Sequence, residues 1–268
     1  LRTPELITAI YFSYALVLAV TLRLPARRRG QIAGLATVVN AAVIALAIAL
    51  PSSWLRDLVP GLCLIAAYRL SGLFFVRPME PLEQYLAAAD RKLFEKFDVD
   101  ALVSRAPRIG LEYLEGAYMM AAPLVGLAFF GFLLAGESDR LDRFWTLVLI
   151  VEYICFGMMP WLQTRPPWLL EGPAAISRRP ILMRTVNAAM VDRVLMPVNT
   201  FPSGHAATAL AVALSVMPLA PVAGAMLIGL ALSVALGSIV GRYHYAVDAV
   251  LGIALTLVVW AGLRASGA

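Results

Sequence analysis

The feature that most constrains this chain is a series of apolar blocks, most of them long enough to cross a bilayer as a helix. They occupy 5–22, 31–50, 60–76, 111–134, 143–163, 203–219, 222–240 and 247–263. A helix crossing the hydrocarbon core needs about 20 predominantly apolar residues, and a stretch of roughly 18 already qualifies as a candidate. The expected fold is therefore all-α, a polytopic bundle of about eight transmembrane helices forming one membrane domain over 1–268. Only 15% of the residues are charged, where a soluble domain carries roughly a quarter. All five tryptophans fall in connections or near span ends, as an aromatic belt requires.

Segment 81–97 breaks the pattern. Leu82, Tyr85, Leu86, Ala89, Leu93 and Phe97 recur at spacings of three and four, interleaved with Glu83, Asp90, Arg91, Lys92, Glu95 and Lys96. This spacing predicts an amphipathic helix lying along the interface, because spanning the bilayer would bury its charges. A second long connection, 164–202, is rich in arginine and proline. Loops of that length in compact folds are usually functional or disordered.

Some features point to nothing catalytic. Cys63 and Cys155 lie inside apolar blocks and read as buried free thiols. Arg69 and Glu152 fall within predicted spans, where an ionisable residue raises a functional role, but pairing with each other or reaching toward an interface is the leading expectation. The net charge of +5 suits anionic head groups or a phosphate substrate. Nucleic acid is not an expected partner, since the arginines are scattered between spans without a reading motif. The first apolar block has its basic cluster, Arg23 and Arg27 to Arg29, after it, the reverse of a secretory leader.

Two local patterns carry chemistry, and they contain both histidines of the chain. In Pro202-Ser203-Gly204-His205, proline and serine mark a helix start. Amides around Ser203, Gly204 and His205 are expected to be free there and to form an anion site at the positive end of the helix dipole. In the segment Arg242-Tyr243-His244-Tyr245-Ala246-Val247-Asp248, a helix would put His244 and Asp248 on one face. Asp248 would then hold one imidazole nitrogen and leave the other as nucleophile or base. Arg242 offers a planar fork for phosphate oxygens. Two spans separate the motifs, so both return to one membrane surface, and Arg165 ends the preceding span on that same surface.

Together, Arg165-Pro166, the Pro-Ser-Gly-His at 202–205, and Arg242 with His244 and Asp248 resemble the signature blocks of the type 2 phosphatidic acid phosphatase (PAP2) superfamily. The resemblance begins near residue 111, with the span from 60 as a further part. It implies a catalytic core over 60–268 and two accessory spans in 1–59. It implies that His244 attacks phosphorus to form a phosphohistidine, that Asp248 orients it, and that His205 protonates the leaving oxygen. Arg165, Ser203, Gly204 and Arg242 would hold the phosphate oxygens, with no metal and no cofactor. Two departures stand out. Met158 occupies the position of the family's usual lysine, so that phosphate contact is either missing or supplied by another residue, with Arg193 and Arg184 as candidates. Arg242 stands two residues before His244, where the family's arginine stands six before.

The leading expectation is a lipid phosphatase hydrolysing a phosphomonoester or diphosphate in the bilayer, such as a phosphatidate or an isoprenyl phosphate or diphosphate. The short His-Tyr-x-x-Asp form and Arg165-Pro166-Pro167-Trp168 look similar to the inositol phosphotransferase branch, which keeps transfer to an alcohol open. A non-catalytic lipid carrier is the alternative of another class, and it has no use for His244 beside Asp248. The composition fits a bacterial inner membrane. Charge puts the active-site surface on the cytoplasmic side, whereas the resemblance puts it outside.

Overall fold

In the computed structural model, the described residues are 1–50, 54–171, 181–193 and 198–267, with the side chains of 191–193 excepted. Among them the chain is helical. It forms α1 (Thr3–Thr21), α2 (Ala26–Ala49), α3 (Trp54–Leu73), α4 (Glu80–Lys96), α5 (Val99–Arg105), α6 (Arg108–Leu134) and α7 (Leu141–Gly157). These are followed by α8 (Pro167–Glu171), α9 (Leu182–Arg193), α10 (Gly204–Val216), α11 (Pro221–Val240) and α12 (Ala246–Ala265).

Five of these helices, α1, α2, α6, α11 and α12, are long and apolar enough to cross a membrane. The sequence led us to expect about eight, and the other three blocks fall short for separate reasons. Helix α3 carries Arg56, Asp57 and Arg69 within its 20 residues. Helix α7 stops at Gly157, and the chain turns before Pro160. Helix α10 has only 13 residues, about 20 Å at 1.5 Å per residue, against a hydrocarbon core of roughly 30 Å.

The short α10 is nonetheless the centre of the bundle, packed on α6, α7, α11 and α12. Its sequence explains this. Ala206, Ala207, Ala209, Ala211 and Ala213 are all buried, and small side chains let backbones approach closely where apolar helices associate. One close approach is to α12: a Cβ at Gly252 would sit 2.5 Å from the Ser203 carbonyl oxygen. Only glycine fits there.

Cys63 and Cys155 are buried free thiols, as expected. Trp145 departs from the expected interfacial belt, being 2% exposed and packed over Gly61. Glu152 does not pair with Arg69; its hydrogen-bond partner is the Thr208 hydroxyl of α10.

The amphipathic segment forms α4, but its inward face is partly acidic. Glu83, Leu86 and Asp90 are buried while Tyr85 and Phe97 are exposed. Met79, which precedes α4, donates its backbone N–H to the Gln163 carbonyl at 2.7 Å. Arg28 donates to the Phe75 carbonyl. These contacts put the α1–α2 connection, the α4 segment and the chain after α7 at one end of the bundle. An ion-pair group of Arg2, Glu5, Arg56 and Asp57 marks the other end.

Candidate active site

Four segments meet at the first of these ends. The chain after α7 pairs with the loop before α10 through an isolated antiparallel bridge, Thr164 to Asn199. The Asn199 N–H donates to the Thr164 carbonyl at 2.8 Å, and its side-chain amide donates to Thr164 Oγ1 at 3.1 Å and to Asp248 Oδ2 at 2.7 Å. Asn199 thus ties the loops carrying Arg165 and Ser203 to the start of α12.

Ser203 caps α10, its hydroxyl accepting from the Ala206 N–H at 3.4 Å. The amides expected to be free are partly engaged. The Ser203 N–H donates to the Asp248 carbonyl at 3.0 Å, and the Gly204 N–H points to Thr200 Oγ1 at 3.4 Å. The helix start is used first to hold α10 against α12.

His205 and His244 face one another, their ring centroids 5.6 Å apart and their planes inclined at 56°. Tyr118 of α6 stacks on His205 at 4.8 Å and on Tyr243 at 4.3 Å, so the His205 ring lies on an aromatic wall.

His244 lies before α12, not within it, since Tyr245 is the cap residue. The expected shared helical face is therefore not what brings it to Asp248. The turn does so. Arg242 has φ +62°, in the left-handed region, which costs a non-glycine residue roughly 1–3 kcal/mol. The Tyr243 and His244 amides both donate to the Ser238 carbonyl, at 2.9 and 3.1 Å. His244 Nδ1 then stands 3.5 Å from Asp248 Oδ2, too long for a formed hydrogen bond. Catalytic contacts commonly tighten only when substrate binds. His244 Nδ1 and Asp248 Oδ1 have no hydrogen-bond partner among the described residues.

The arginines are held by carboxylates. Arg165 gives Nε and Nη2 to Glu83 at 3.1 and 2.7 Å, and its backbone N–H to the same side chain at 2.7 Å. Arg242 gives Nη1 to Asp90 at 2.8 Å and Nε and Nη2 to Glu171, and it lies over the Phe94 ring. Asp90 also accepts the Ala246 N–H at 2.9 Å, at the positive end of α12. The carboxylate of Glu83 raises the Arg165 pKa above the ordinary guanidinium value. Burial works against the charge on Arg242, but Glu171 and Asp90 outweigh it and raise that pKa too. Arg184 pairs with Glu115 of α6 at 2.8 Å, where Asn187 and the Tyr243 hydroxyl also donate. The side chain of Arg193 lies outside the described residues.

The structure thus brings together His205, His244, Asp248, Ser203 and Gly204, and it places Arg165, Arg242 and Arg184 in carboxylate pairs around them. With these positions fixed, comparison with protein families is decisive: the model of the PAP2 superfamily matches residues 84–262. The chain belongs to the PAP2 superfamily. Matching against curated proteins and against solved structures finds nothing comparable. Membership and the apolar helices make this PAP2 protein an integral membrane protein, with the phosphatase or phosphotransferase chemistry of its superfamily.

Sequence reasoning missed several residues around the histidines. Asn199 gave no signal beyond its place in a loop four residues before Ser203. Glu115 lies inside a predicted span, and an intramembrane acid is a flag in itself. Glu83 and Asp90 were visible as charges of an amphipathic helix, but not as partners of the arginines.

An apolar cavity of about 390 Å³ reaches this site from the side of the bundle. Leu62 and Ile65 of α3 and Phe130 of α6 line its outer part and are more than half exposed. Glu152, Thr200, Gly204, His205 and Thr208 line its inner end.

Proposed function

We propose that this PAP2 protein is a membrane lipid phosphate phosphatase working through a phosphohistidine on His244. The observation that carries the reading is the facing pair of imidazoles, of which His205 lines the inner end of an apolar cavity. The two rings stand 5.6 Å apart between centroids, so one imidazole can act on phosphorus while the other serves the leaving oxygen of the same ester.

In this reading the Nδ1–H of His244 turns to Asp248, which Asn199 orients, and Nε2 attacks phosphorus. The P–O ester bond breaks, and His205 gives its proton to the leaving lipid oxygen. Water then attacks the phosphohistidine as His205 takes a proton from it, releasing phosphate and restoring His244. Charge builds on the non-bridging oxygens, where preorganised donors lower the barrier most. Ser203 and the Gly204 amide border that position. Arg165 and Arg242 serve as phosphate ligands by exchanging a carboxylate partner for the substrate. The cavity supplies the place for a hydrocarbon chain, which favours a lipid ester over a soluble one. Residues 1–59 act as accessory spans beside this core.

The test is a panel of phosphatidates and isoprenyl phosphates given to detergent-purified wild type and His244→Ala, with and without inositol or a lipid alcohol. Phosphate release without acceptor, abolished by the substitution, supports hydrolysis. A phosphodiester formed only with acceptor moves the chain to the transferases. Phosphate release that survives His244→Ala overturns the mechanism.

A further inference from the structure

Glu152 has no part in the chemistry above, yet among the described residues it is the one acid lining the cavity. It is 7% exposed. One carboxyl oxygen accepts from the Thr208 hydroxyl, while Oε2, also buried, has no hydrogen-bond partner among the described residues. Buried polar atoms of folded proteins nearly always have a partner. The carboxyl group also fills the space beside Gly204, where a Cβ would lie 2.8 Å from Oε2. The position next to His205 is thus kept free of a side chain and given to an oxygen acceptor. The rest of the cavity wall is almost wholly apolar.

An apolar chamber ending in one unpaired acceptor, beside a histidine, fits a molecule of matching polarity. We propose that Glu152 is a specificity-determining residue that accepts a hydrogen bond from the hydroxyl of a long-chain lipid alcohol lodged in this cavity. Resting on the hydrolase reading, that alcohol is the product released when His205 protonates the leaving oxygen. If transfer operates, the same subsite would hold an alcohol acceptor. Thr208 fixes the orientation of the carboxyl group, because its hydroxyl donates to the other oxygen. A site built to pair a hydroxyl rejects an analogue lacking the donor strongly, because the acceptor is then left unpaired.

The experiment measures direct binding of a radiolabelled long-chain primary alcohol to the purified full chain in detergent, with its methyl ether of equal chain length as competitor. Wild type should prefer the alcohol by tenfold or more, and Glu152→Leu should bind both alike. Glu152→Gln provides a signature that a merely structural residue would not give. Thr208 would fix the amide oxygen on its own side and turn the amide N–H toward the cavity. That donor serves the ether oxygen, so the preference should narrow. Equal binding of alcohol and ether by wild type, or a preference that persists in Glu152→Leu, overturns the proposal. Because binding is read without turnover, its failure leaves the histidine chemistry standing, and an inactive enzyme would leave the binding result standing. Adding the alcohol during turnover separates the two sources: a product only inhibits phosphate release, whereas an acceptor becomes phosphorylated.

Discussion

Glu83 of α4 grips Arg165 at two points, with Nη2 2.7 Å and Nε 3.1 Å from its carboxylate oxygens. A phosphate bound by Arg165 must displace that carboxylate. Glu83→Gln removes the competing charge while keeping an oxygen acceptor for the Arg165 backbone N–H. We expect inorganic phosphate to inhibit this variant about three- to tenfold more tightly than wild type, the latter being roughly 1.4 kcal/mol. Inhibition constants at fixed ionic strength check it, and unchanged or weaker inhibition would remove Arg165 from the phosphate site.

Asp248 and Asn199 should differ in what they cost. Asp248→Asn cannot hold the His244 N–H in the same tautomer, and kcat should fall by on the order of 10³-fold or more with KM little changed. Asn199→Ala removes a donor to Asp248 Oδ2 without touching substrate. Its expected loss is nearer tenfold in kcat, with the same flat KM. A rise in KM alone for either variant would place them in binding, not in orienting His244.

These two residues also illustrate what a sequence can and cannot disclose. His205, Ser203, His244 and Asp248 were legible because cap, dipole and short-range spacing are local properties. Even so, His244 reaches Asp248 through a turn with Arg242 at positive φ, which spacing alone does not reveal. The carboxylate partners were not legible. Arg165 and Glu83 are 82 positions apart, and Arg242 and Asp90 are 152 apart, separations set by helix packing. The bundle itself was legible from apolar block length, but the length of each helix was not. Helix α10 could be short because its alanines bury it against four neighbours.

Glu115 should be a stability residue. It accepts from Arg184, Asn187 and Tyr243 and is 2% exposed. Glu115→Ala leaves a buried guanidinium without this carboxylate, a change that costs about 3–5 kcal/mol where a buried pair is broken. The thermal transition in detergent should drop by several degrees or more, with a smaller drop for Glu115→Gln. Equal transitions in wild type and Glu115→Ala would contradict the burial described.

Gly204→Ala should be poorly tolerated. The added methyl would stand 2.8 Å from Glu152 Oε2, and overpacking of this kind costs about 1–3 kcal/mol. Combining it with Glu152→Ala, which empties that space, should restore most of the lost thermal stability. Additive losses would show that the clash lies elsewhere.

A phosphorus atom carried on His244 can be trapped there as a covalent intermediate. Wild type, His205→Ala and His244→Ala would be mixed with a ³²P-labelled lipid phosphate, quenched in alkaline denaturant and counted for protein-bound label. Wild type should carry acid-labile, base-stable label, His205→Ala should label more slowly, and His244→Ala should carry none. Label that persists on His244→Ala, or turnover by wild type with no labelled protein at any time, would contradict it.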